Sequence, residues 1–530
     1  MSRPVLRLVS LIFSLVVAAD LGGQTKVEQP VRDLRIDPLL LVSVKEYRHI
    51  LETIGPDIYP GWKWNTVPLL LYRPLVQDVL LNAPRRPPGY SRFSGHTVLP
   101  DKIIYARDDS TLMAIDGQNT STDLDSMRVL VVSDQYSRER QQIDATARHG
   151  DLEQWRKNWN FVPSAYDELE VILHEAFHVH QDRLAPNKGA NEQMAAHYPL
   201  LDPSNNALVA VETRALRDAV LATDPNQRRH RLEQFLAVRA LRRSGLDTAS
   251  LTYENLNEFK EGTARYVELR FLELGERVQP IPEMYYHTGF TGYRGVLRQR
   301  LVRRMDDMVN VASFGDNRFG NKYGGGPMRV RLYDTGGAQA LLLDDVAPSW
   351  KQKIFAPAVY LTDLLNAAIP LSVEQRSNLV SQAKAEYGFD SVLVNRQAFQ
   401  REGERIIQSR VDSILNTRQT LVTINYAGAG DINGMAYTPF GVTAVNDQTA
   451  IYDLVPIGVR FTNGVVLRMK SRIPLLVDRQ AKTVTFAIAS TAAAFEGKGT
   501  SGVNIAELTL SGSPATVITA SGDKVLIQLR

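Results

Sequence analysis

The chain has 530 residues, of which 44% are hydrophobic and 22% charged, with 61 Lys and Arg against 58 Asp and Glu. That length allows roughly two to four domains with ample core, and the composition is that of an ordinary soluble protein. A net charge of +3 without a basic stripe or an acidic tail argues against a nucleic-acid or anionic-membrane binder. Cysteine is absent, so there is no disulfide framework, and any metal must be held by His and carboxylate.

Residues 1–19 read as an export signal. Arg3 and Arg7 precede the apolar run Leu8–Ala19, which is shorter than the ~20 residues needed to span a bilayer, and Val17 and Ala19 suit a small-residue cleavage site. The expectation is a periplasmic or extracellular protein with no membrane span in the mature chain. An exported chain without cysteine fits a bacterial source.

Residues 20–160 are expected to form an N-terminal α/β lobe of short strands and turns. Gly55–Trp62 and Ala83–Gly89 read as breaker-rich loops and Arg128–Asp134 as a buried strand, for which fold analogy alone suggests pairing with an extended substrate. Residues 161–417 read as a mainly helical lobe. Ser164 is placed as an N-cap with Asp167 in the reciprocal capping position. Helical periodicity runs through 206–222, 227–244, 258–274 and 373–387. The basic runs Arg239–Arg243 and Arg298–Arg304 read as solvated helix faces.

From 418 to 530 the pattern turns to period two, in 421–426, 459–468, 483–488 and 524–530, with Asn463-Gly464 as a hairpin turn. This predicts a separate β-sandwich-like domain. It contains no His, which places catalysis elsewhere; its partner is unknown.

The chemistry concentrates at His174-Glu175-Ala176-Phe177-His178, an H-E-x-x-H pattern inside the apolar stretch Val171–Val179. On a helix the two histidines lie about 40° apart around the axis and one turn apart along it, so both imidazoles reach one tetrahedral zinc. Glu175 lies roughly 100° away, close enough to take a proton from a metal-bound water. His180 points away from His178 and reads as a surface or packed residue. A catalytic zinc usually takes a third protein ligand. Glu261 is the first candidate, with Gly262 beside it letting the backbone approach the metal. Glu212 is the second and Glu258 the third, while Glu268 is placed to orient a ligating histidine. Tyr285-Tyr286-His287 reads as a packed loop, and Gly324-Gly325-Gly326 as a flexible one.

Glu261-Gly262-Thr-Ala-Arg-Tyr266-Val-Glu268 resembles the Asn-Glu-Gly-x-x-x-Tyr-x-Glu segment of the gluzincin metallopeptidases, aminopeptidase-type branch. Tyr333-Asp334-Thr335-Gly336 is similar to that branch's Tyr-x-x-Gly element. The resemblance covers about 164–350 of this sequence. It implies a thermolysin-like catalytic region, with a small β-containing lobe and a helical lobe. It also implies zinc on His174, His178 and Glu261, Glu175 as general base, and Tyr333 as donor to the oxyanion. The interval from His178 to Glu261 is longer than the family's usual gap. The Gly-x-Met-Glu-Asn stretch that captures a free amine is missing, so aminopeptidase action does not carry over. The expectation is an α+β zinc peptidase acting on peptide or protein substrates. Two alternatives accompany it: a hydrolase of non-standard amides or cell-wall peptides, and a non-catalytic zinc-containing binding protein.

Overall fold

The computed structural model describes residues 33–73, 76–93, 104–108, 120–134, 164–312, 322–437, 441–453, 456–496, 502–512 and 516–529. The expected export signal lies outside them. The chain is mixed α+β: a six-stranded sheet and a helical region come first, and two further sheets close the C-terminal part. Among the described residues no helix is long and apolar enough to cross a membrane.

The first element differs from the expected strands and turns. Helix α1 spans Pro38–Ile58, opened by Asp37, whose carboxylate accepts the Leu39 N–H, and by Pro38 in the first helical turn. Gly55 and Pro56, expected in a loop, continue this helix. Burial of Leu40, Tyr47, Ile50 and Ile54 along one stripe outweighs the local breaker signal.

Six strands follow: β1 Leu69–Arg73, β2 Gln77–Leu81, β3 Ser91–Arg92, β4 Ile104–Asp108, β5 Thr120–Leu124 and β6 Met127–Ser133. They are ordered β3-β4-β2-β1-β6-β5. The buried strand foreseen near 128–134 is β6, but β1 pairs with it in parallel and β5 antiparallel. Both its edges are occupied, so it has no backbone groups left for a substrate. Helix α2, Ala165–Leu184, begins with the predicted capping box between Ser164 and Asp167. Its Leu169, Ile172, Leu173 and Phe177 share one core with Leu71, Leu130 and Val132 of the sheet.

Beyond it come α3 Pro203–Leu221, α4 Pro225–Arg243 and α5 Thr248–Asn257, capped by Asp202, Asp224 and Asp247. A π turn, Glu258–Gly262, joins α5 to α6, Thr263–Leu274. Then follow α7 Val296–Ala312 and α8 Gly325–Val346, with the longer later helices 373–386 and 389–415 leading to the β-domain. Gly325 and Gly326, read as loop, form the first turn of α8.

At the crossing of the π turn with α8 the backbones meet at glycines. A Cβ on Gly262 would stand 2.5 Å from Gly336 Cα, and one on Gly336 would stand 2.7 Å from Glu258 O. Gly262 therefore serves helix–helix approach, and the expected role of letting the backbone approach a metal is replaced.

The C-terminal residues form a seven-stranded sheet and a five-stranded sheet over a shared core. Val422, Ile424 and Phe486 from the first meet Val459, Leu467 and Leu510 from the second. Asn463-Gly464 lies in the turn between the strands Gly458–Phe461 and Val466–Met469, with Gly464 at φ +90°.

Candidate metal centre

His174 and His178 are both buried on α2, and each is oriented through its Nδ1. His174 Nδ1 lies 2.5 Å from Glu268 Oε1, and His178 Nδ1 lies 2.6 Å from Gln181 Oε1. The Gln181 amide is held in turn, donating to Lys260 O at 2.8 Å and Thr263 Oγ1 at 2.6 Å. Fixing both Nδ1 atoms turns both Nε2 atoms to one point. There, Glu261 Oε2 lies 3.3 Å from His174 Nε2 and 3.2 Å from His178 Nε2.

Within that group the three ligand atoms lie within 4.8 Å of one another. Donors bound to a tetrahedral ion at ~2.0–2.1 Å stand about 3.3 Å apart, so the spacing fits a small cation. The electrostatics agree. Burial disfavours a charged His174, yet its bonds to Glu261 and Glu268 hold its pKa up at about 9. Burial would raise Glu261, but Arg329 and the two histidines hold it well below the usual carboxylate range. Two carboxylates closing on two imidazoles make a site that favours positive charge, and a metal ion could be held there.

Glu261 stands in the π turn, a widened register often met at functional sites. Its second oxygen, Oε1, accepts from Arg329 Nη2 at 2.9 Å. Arg329 also donates to the Tyr333 hydroxyl and, through Nε, to Glu192 Oε1 at 3.0 Å. Glu192 Oε2 accepts from the Tyr253 hydroxyl at 2.8 Å. The Tyr333 ring stacks on His174, with centroids 5.7 Å apart and planes at 11°. Tyr333 is thus brought to the cluster with its hydroxyl accepting a guanidinium N–H, which leaves its own proton free to donate.

Glu175 is half-buried and makes no hydrogen bond or ion pair with any described residue. Burial raises its pKa, moderated by His178 and His174. It faces a cavity of about 590 Å³ whose walls also include His174, Tyr333, Arg265, Glu268 and side chains of α7.

The other two ligand candidates lie elsewhere. Glu212 is fully buried among arginines, 2.7 Å from Arg242 Nε and 3.4 Å from Arg239 Nη1. Glu258 pairs with Arg239 and accepts from Thr335 Oγ1 at 2.9 Å. Both carboxylates are held by buried arginines, and neither belongs to the group whose ligand atoms converge with those of the two histidines. This also corrects the reading of the 239–243 run as a solvated face: Arg239 and Arg242 are buried, paired with Glu212, Glu254 and Glu258.

His180 packs against Tyr59, Phe177 and Phe355. Tyr285 and Tyr286 are exposed, while His287 is buried against Ser43. Sequence reasoning missed Gln181 and Arg329. Each carried a signal, since Gln181 stands three residues after His178 and Arg329 one helical turn before Tyr333.

No family model, no curated protein and no solved structure matches this chain.

Proposed function

We propose that the chain is a zinc-dependent peptidase of gluzincin type, with His174, His178 and Glu261 as metal ligands. The observation that carries this reading is the convergence of two oriented imidazoles and one carboxylate beside a further carboxylate, Glu175, that has no partner among the described residues. Held there, zinc would supply Lewis acidity, the chemistry that acidifies water and polarises a carbonyl. Glu175 takes the proton of the attacking water; its raised pKa suits it to hold that proton and pass it to the leaving amine. Tyr333 donates its hydroxyl proton to the developing oxyanion, a contact worth about 3 kcal/mol of barrier. Arg329 keeps the Tyr333 hydroxyl in place and occupies the Glu261 oxygen that faces away from the imidazoles. That pairing leaves Glu261 Oε2, which faces both imidazoles, as the oxygen that would meet the ion. An unpartnered general base favours catalysis over a purely structural ion, because a closed structural site has no use for one.

The test is the pair wild type and Glu175→Gln, assayed for zinc content and for hydrolysis of a peptide library alongside a cell-wall digest. Both proteins should carry one zinc per chain, and only wild type should hydrolyse. Equal activity in the two proteins, or none in either, rejects the reading.

A further inference from the structure

The cavity beside Glu175 has a division of labour among its wall residues that the reaction does not use. Arg265 is tied to Glu268 and Asp334, Arg300 to Asp167 and Glu170, and Arg304 to Glu170. These pairs stiffen the wall and cancel their own charges. Besides Glu175, two polar wall residues remain without a hydrogen bond or ion pair to any described residue, Gln299 and Arg303. They stand four apart on α7, one turn along the same face, and both line the cavity that His174, Glu175 and Tyr333 line from the other side. Val171 and Val296 are the only aliphatic residues among those lining that wall, and most of its other side chains end in charged or hydrogen-bonding groups.

We infer that Gln299 and Arg303 form a carboxylate-recognising subsite, so that the enzyme selects substrates bearing an acidic group next to the scissile bond. This rests on the peptidase reading and adds its substrate class. The planar guanidinium of Arg303 presents a fork that matches a carboxylate, and the Gln299 amide adds a neutral donor one turn away. Of the acids on that wall, Asp167, Glu170 and Glu268 are already paired with other arginines, and Asp307, one turn beyond Arg303, has an interaction of its own and forms no ion pair with Arg303. The carboxylate can come from an Asp or Glu side chain or from a chain terminus.

The experiment uses the zinc-loaded full chain and one peptide sequence carrying Glu, Gln or Lys beside the cleavable bond, each as C-terminal amide and as free acid. The Glu peptide should be cut with a kcat/KM roughly tenfold or more above its Gln counterpart and further above Lys. If the terminus is what is read, the free acids should lead by a similar factor whatever the side chain. Arg303→Glu should reverse the Glu-to-Lys ranking through KM, with zinc content and melting temperature unchanged because the side chain is exposed. Equal rates for all peptides, or an Arg303→Glu variant that keeps the wild-type ranking, overturns the subsite.

Should no peptide be cut, the peptidase reading fails separately, and the subsite is judged by binding. Titration with glutamate hydroxamate and glutamine hydroxamate should favour the acidic probe by roughly tenfold, and the preference should vanish in Arg303→Glu. Equal affinity, including no binding of either, overturns it.

Discussion

Two buried charge clusters each draw a glutamate from the π turn, Glu258 and Glu261, and they solve the same problem in opposite ways. In the first, Glu212, Glu254 and Glu258 are matched by Arg239, Arg242 and Arg331. Arg242 alone grips Glu254 through two bonds, at 2.7 and 2.9 Å, and Glu212 through a third at 2.7 Å. In the second, Glu261 meets an arginine with one oxygen only, and the other faces two imidazoles whose far nitrogens are already held. Guanidinium closes a carboxylate; imidazole leaves a place for an ion. Burial and charge are alike in the two clusters, so what marks a candidate ligand is the kind of cation opposite it.

That contrast can be broken or sharpened by substitution. The largest effect belongs to the imidazole side. Glu261→Ala and His178→Ala should each fail to retain a stoichiometric metal ion after dialysis, with hydrolysis lost. Next comes Glu212→Ala, which should keep the ion but lose about 3–5 kcal/mol of stability in urea titration, because Arg242 and Arg239 are left buried with less countercharge. Metal loss from Glu212→Ala with retention in Glu261→Ala would reverse the assignment of the two clusters.

Acid should separate the clusters further. Burial would raise the Glu254 pKa, but Arg242 and Arg331 hold it well below the usual range. The unfolded chain, with a glutamate pKa of about 4.3, therefore takes up this proton first on acidification. The stabilisation is whole above that value and drains away as pH falls toward the folded pKa. Urea midpoints measured downward from about pH 5 should fall more steeply for wild type than for Glu254→Gln. Equal slopes would assign acid sensitivity elsewhere.

A smaller effect is expected where the clusters share their scaffold. Gly262→Ala forces a methyl against Gly336 Cα at 2.5 Å, and such overpacking costs about 1–3 kcal/mol. It should also lower kcat by moving Tyr333 relative to Glu261, so thermal melting and turnover should fall together. Least of all, Ser164→Ala removes the N-cap of α2 and should cost about 1 kcal/mol without changing metal content.

Much of this was readable in the chain. The two histidines at helical spacing, the Ser164 cap, the strand near 128–134 and the Asn463-Gly464 hairpin all follow from local rules of period and capping. The failures share a cause as well. Pro38–Ile58 was missed because Gly55 and Pro56 speak locally for a loop while a buried stripe decides for a helix. The 239–243 arginines looked solvated because their partners, Glu212 and Glu258, come from other segments.

The sequence by itself determined the two imidazoles, since four residues of helix fix their relation whatever surrounds them. It also limited the candidates for a third ligand to a handful of glutamates. Choosing among them was left to tertiary structure. Glu212, Glu258 and Glu261 have the same carboxylate and similar helical surroundings, and they differ only in which side chains from distant helices close on them. Contacts between segments carry that information, and a local pattern in one segment cannot hold it.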